Sequence, residues 1–163
     1  MHSLSGIIVG QSKAEKGYWY ILSSIDGTHR FFSRKELFSL FENCEVILEK
    51  KNNCYFISDY TALDENPPLK SRPDNIIAAF WLSRLAGSLT FSDSAEFEFL
   101  DKCRQAVSSD FDDNTLDEIE TSYIRVSGFN SDEEKEKILN DCFFHSMNLR
   151  RSLINQLSLR RRK

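Results

Sequence analysis

The side chains best suited to chemistry are gathered between residues 16 and 34. Lys16, Gly17, Tyr18, Trp19, Tyr20 and Ile21 form one run, and His29, Arg30, Phe31, Phe32, Ser33 and Arg34 form a second, with an Asp26-Gly27 turn signal between them. Two short aromatic runs about such a turn predict a β-hairpin. Successive strand side chains point to opposite faces, so Tyr18 and Tyr20 share one face while Trp19 and Ile21 share the other. With Phe31 beside the tyrosines on the neighbouring strand, one surface carries three rings, with Lys16, Arg30 and Arg34 nearby. Rings with cations suit single-stranded nucleic acid, because any base stacks on a ring and phosphates need countercharge. The same rings also suit plain packing, since β-propensity alone favours aromatics in strands.

Other chemistries lack their parts. The sequence holds no nucleophile with a neighbouring base, no phosphate loop and no metal-ligand spacing, so the chain is expected to be no enzyme and to need no metal or cofactor. Cys44, Cys54, Cys103 and Cys142 are scattered, as are His2, His29 and His145. Reduced thiols are the economical reading, with Cys44 and Cys54 able to face each other across two strands. No apolar run approaches the ~18–20 residues that would cross a bilayer, and residues 1–6 lack a basic region and an apolar core. A cytoplasmic protein with no membrane partner is expected.

The two aromatic runs resemble the paired ribonucleoprotein motifs of the cold-shock domain family, a small OB-fold barrel. Where the family's first motif reads Lys-Gly-Phe-Gly-Phe-Ile, residues 16–21 keep the lysine, glycine and isoleucine and place tyrosine at both phenylalanines. Arg30-Phe31-Phe32-Ser33 with Leu37 follows the spacing of the second motif, and Ser33 stands at its stacking histidine. Gly6, Ile8, residues 44–49 and residues 57–63 sit where the family has its first, fourth and fifth strands. The likeness covers about the first 65 residues. It implies a five-stranded barrel that binds single-stranded RNA or DNA without catalysis, through Lys16, Tyr18, Tyr20, Arg30, Phe31, Ser33 and Arg34.

Around that hairpin the chain divides by composition. A β domain is expected over residues 1–65, with a short helical turn at 35–41 and a turn at 50–53. Pro67, Pro68 and Pro73 mark a linker at 66–74. Residues 75–163 change to a helical period and predict a bundle of about four helices. The first runs from Ile76 to about Ala86, capped by Asp74 or Asn75 and apolar on most sides, which makes it central. The second starts at Ser92 or Asp93, and the third spans 115–126. The last opens at Ser131 with capping-box spacing to Glu134 and continues to about Leu159, on a stripe from Leu139 to Leu157.

Net charge is −4 and the sequence pI about 5.4, which excludes retention on nucleic acid by bulk charge. Acidic residues dominate 91–141, whereas 142–163 has arginines and a lysine and no acid. The basic end, Arg160, Arg161, Arg162 and Lys163, is an auxiliary phosphate contact, or folds onto the acidic bundle, or caps the last helix. The helical region is expected to bind a protein partner or to make a homo-oligomer. The competing reading is a protein-interaction adaptor whose barrel no longer binds nucleic acid. The resemblance adds a narrower form of it, an accessory protein of a bacterial defence system such as a retron.

Overall fold

The computed structural model describes residues 1–65, 68–89, 93–129 and 134–162. Its first part has strands β1 (His2–Ala14), β2 (Gly17–Ser24), β3 (Gly27–Ser33), β4 (Asn43–Lys51) and β5 (Cys54–Ala62). They close into a barrel in the order β1-β2-β3-β5-β4, with β4 returning to β1. All pairings are antiparallel except β3 with β5, a parallel contact joined only at Phe32 and Phe56. The Asp26-Gly27 signal does turn the β2–β3 hairpin, and Gly27 has φ of 115°, open to glycine at little cost. Asn52 and Asn53, both at positive φ, turn β4 into β5. β1 serves two neighbours, pairing with β4 over His2 to Ile7 and with β2 from Ile7 to Ala14, with a bulge between Ile8 and Gly10 just past the change.

The segment 34–42 plugs the barrel without forming the expected helical turn. Its backbone donors are engaged elsewhere: the Leu37 and Phe38 N–H groups donate to the Tyr20 hydroxyl at 2.9 and 3.4 Å, and Phe41 N–H donates to Ile8 O at 2.7 Å. Phe38, Leu40 and Phe41 are thereby buried, with the Phe38 ring edge-on to Tyr20 and Phe31. Tyr20→Phe keeps the ring but strips two backbone donors of their acceptor. A loss of ~1–3 kcal/mol in urea unfolding is expected.

The second part has five helices: α1 (Pro73–Gly87), α2 (Ser94–Ser108), α3 (Asp113–Val126), α4 (Lys135–Cys142) and α5 (Met147–Arg161), with a single 3-10 turn (Phe144–Ser146) before α5. Asp93 and Asp112 cap α2 and α3 by accepting from Glu96 N–H and Thr115 N–H. α1 begins earlier than predicted, because Pro73 belongs to its first turn, where a missing N–H costs nothing, and Asp74 and Asn75 are buried inside the helix. It is central as expected, packed on α2, α5 and β1.

The single terminal helix is corrected to two. A continuous helix would hold residues 136 and 150 about 21 Å apart, yet Arg150 Nη2 lies 2.7 Å from Glu136 Oε1, so the chain folds back at Phe143 (φ −127°, ψ 33°). Phe143 packs there against Trp81 and Tyr123 at 5.6 and 5.4 Å. Residues 131–133, the expected opening of that helix, lie outside the described residues.

Barrel and helices share one continuous cluster of buried side chains. Val9, at the β1 bulge, is buried and its carbonyl accepts from the Ser83 hydroxyl of α1 at 2.6 Å. Arg104 of α2 clasps the barrel, donating to Phe41 O at 2.9 Å and to Asp64 Oδ1 at 2.7 Å, while Asp64 Oδ2 accepts from Asn43 N–H at 2.7 Å.

Candidate nucleic-acid interface

β2 and β3 each put aromatics on both faces, and closure of the barrel decides which set is inside. Tyr20 lies opposite Phe31 as expected, but both are fully buried. They join Ile8, Leu22, Cys44, Val46 and Leu48 in the barrel interior. Tyr20 and Phe31 therefore offer no ring to a base, which corrects their assignment as stacking residues. Tyr18 is half-buried and stacks on Tyr20 at 6.5 Å. Ser33 is buried, its hydroxyl donating to Lys35 O at 2.7 Å and accepting from Lys35 N–H at 3.2 Å, so it serves its own turn. The physical reason is parity: one step of register moves a whole strand's side chains to the other face. The inward set carries the residues that continue the aliphatic core of β1 and β4.

The outward face carries a second ladder. Trp19 lies opposite Phe32, and their rings meet edge-on at 5.2 Å. Phe32 meets Phe56 of β5 edge-on at 5.8 Å. All three are half-buried, and the Arg30 guanidinium sits 4.4 Å over the Trp19 ring. Gly17 lets the Phe32 ring lie close, since a Cβ there would come within 2.6 Å of Phe32 Cζ and 2.2 Å of Ser33 O. Beside the ladder runs a groove of about 730 Å³ lined by Phe32, Arg34, Lys35, Lys51, Phe56 and Tyr60, among others. Tyr60 is 45% exposed, its ring edge-on to Phe38. Arg30 and Arg34 are exposed beside these rings, and Lys16 is exposed at the β1–β2 turn. Sequence reasoning found these cations and missed Trp19, Phe32 and Phe56 as the outward rings and Tyr60 as an exposed ring of the groove. Alternation alone signalled Trp19 and Phe32 as a set, but not which set faces out.

The basic end is mostly engaged by the chain itself. Arg160 Nη1 donates to Asp74 Oδ2 at 3.0 Å and to Phe111 O at 2.8 Å, and Arg161 Nε pairs with Asp113 at 3.0 Å. Both fold onto carboxylates of the bundle rather than standing free for phosphates. Arg162 is exposed, and Lys163 lies outside the described residues.

Glu120, buried in the bundle, is a charge the sequence did not reveal as central. Arg150 grips it through Nε and Nη2 at 2.7 and 2.8 Å, and Trp81 Nε1–H donates to it at 3.2 Å. Arg150 also donates twice to Glu136. Burial works against the Arg150 charge, but its bonds to Glu120 and Glu136 hold its pKa above the ordinary arginine value. Glu120 and Arg150 are buried while Glu136 reaches the surface, and together they brace α3, α4 and α5.

Cys44 and Cys103 are buried, Cys54 is half-buried in the lining of the groove, and Cys142 is exposed. Cys44 stands opposite Ala62 and Cys54 opposite Lys51, so the two do not face each other, and all four thiols are free. Burial, with Glu42 and Asp64 nearby, pushes the Cys44 thiol up to about 12, and burial raises Cys103 too. Among the described residues no group of His, Cys, Asp and Glu is placed to hold a metal ion, and no helix is long and apolar enough to cross a membrane. No protein-family model matches the chain, and no curated protein matches it.

Proposed function

We propose that the chain is a non-catalytic single-stranded nucleic-acid-binding protein on an OB-type barrel, with its site on the outward ladder of Trp19, Phe32 and Phe56. The observation that carries this reading is that ladder, three rings within 6 Å steps, with Arg30 over Trp19 and a groove beside it lined by Arg34, Lys35 and Lys51. The barrel's strand order supports the OB assignment, and OB folds bind oligonucleotides on the face of strands 2 and 3 beside the loop between strands 4 and 5. The cold-shock likeness contributes the strand plan. Its stacking positions, Tyr20 and Phe31, are replaced in this proposal by their neighbours.

A labelled single strand titrated at two salt concentrations tests the proposal. Stacking dominates here and few phosphates are neutralised, so affinity is expected with a shallow salt slope, about −0.7 per phosphate contacted. The adaptor reading keeps one observation in its favour, the inward placement of Tyr20 and Phe31. An absence of binding at low salt would leave it in possession.

A further inference from the structure

We propose that Asp59 reads the edge of the base stacked on the outward ladder and selects guanine, an inference that rests on the nucleic-acid reading above. The register of β4 with β5 shifts along this stretch: Phe56 lies opposite Glu49 and Ile57 opposite Leu48, but Asp59 lies opposite Ile47, leaving Ser58 as an extra residue. Strict alternation would send Asp59, three positions after Phe56, to the face opposite the Phe56 ring. The extra residue brings its side chain back to the ring's face, as bulges do when they re-aim a side chain. Tyr60 then lies opposite Val46, where its ring meets Phe38 while still lining the groove.

Asp59 lines the groove together with Phe32 and Phe56. Its Oδ1 accepts from Tyr60 N–H at 2.8 Å, which orients the carboxylate, and Oδ2 has no partner among the described residues. Three neighbouring polar groups are already committed. The Ser33 hydroxyl donates to Lys35 O, the Ser58 hydroxyl to Ile47 O at 3.0 Å, and Lys51 pairs with Glu49 at 3.1 Å. The groove thus meets a base with a carboxylate acceptor, while Arg34 and Lys35 stand exposed for phosphates.

An ionised carboxylate only accepts, so it favours a base edge that donates. Guanine presents two adjacent donors, N1–H and the N2 amino group, which match two carboxylate oxygens. Thymine and uracil present one N3–H between two carbonyls that the carboxylate repels. Adenine and cytosine present one amino group beside an acceptor.

The test is fluorescence anisotropy with short thymidine strands carrying one central guanine, inosine, adenine or thymine. Wild-type protein is expected to prefer guanine over thymine by about tenfold, in the range of one bidentate base contact, with inosine, which lacks the N2 amino group, in between. Asp59→Asn is expected to erase that preference while affinity for the all-thymidine strand holds or rises, with an unchanged circular dichroism spectrum. Equal wild-type affinity for guanine and thymine, or a guanine preference that survives in Asp59→Asn, would overturn the inference and leave the binding proposal standing. Failure of the wild-type protein to bind any strand would overturn both.

Discussion

Single-strand affinity is expected to fall at least a hundredfold when Trp19, Phe32 and Phe56 are replaced together by leucine. Each base stacked on a ring is worth ~1–3 kcal/mol, so three rings supply ~3–9 kcal/mol of contact that an aliphatic side chain cannot reproduce. Leucine rather than alanine is the informative replacement, because all three rings are half-buried and their apolar contact must be kept for the barrel to hold. The matching control is Tyr20→Leu with Phe31→Leu. Those rings are fully buried, so that pair is expected to lower the unfolding midpoint in urea and to leave the affinity of the folded fraction near wild type. Anisotropy titrations alongside circular dichroism separate the two outcomes. A triple variant that binds as the wild type does would move the interface off this face.

Glu120→Gln is expected to destabilise the protein by ~3–5 kcal/mol. The substitution leaves the Arg150 guanidinium, itself almost wholly buried, without the charge that compensates it. Glu136 is a partial substitute only, since its side chain is more than half exposed. Replacing both partners by apolar residues, Glu120→Leu with Arg150→Met, is expected to recover most of the loss, because a well-packed apolar pair avoids burying charge at all. Urea unfolding of Glu120→Leu, of Arg150→Met and of the double variant reads the coupling. Additive losses in the double variant would mean that the pair does not act as a unit.

Much of this architecture was legible locally. The Asp26-Gly27 hairpin, the Asp93 cap, the change from strand to helical period and the central α1 follow from turn chemistry, capping and periodicity. What was not legible depends on partners far along the chain. Alternation grouped Tyr18 with Tyr20 and Trp19 with Ile21, but choosing the inward group needs Ile8, Val46 and Leu48, which arrive from other strands. The apolar stripe from Leu139 to Leu157 reads as one helix because nothing local shows that Arg150 must reach Glu120 and Glu136. Residues 35–41 look like a helical turn until the Tyr20 hydroxyl, on another strand, takes the Leu37 and Phe38 N–H groups. The extra residue at Ser58, which turns Asp59 outward, is likewise a matter of register against β4.

The Arg104 clasp sets an order of events during synthesis. Both groups it holds, the Phe41 carbonyl and the Asp64 carboxylate, belong to the barrel, and Arg104 lies 40 residues beyond Asp64 in the chain. At ~5–20 residues per second, Asp64 leaves the ribosome about 2–8 s before the guanidinium that fastens it emerges. During that interval Phe41, held at a φ of 66° that an L-residue seldom adopts, is kept in place by its buried ring and by the paired bonds of Phe41 N–H to Ile8 O and Ile8 N–H to Glu42 O. The Phe41 carbonyl and the Asp64 carboxylate therefore lack their shared donor until α2 emerges, and anything that slows translation through α2 prolongs that state.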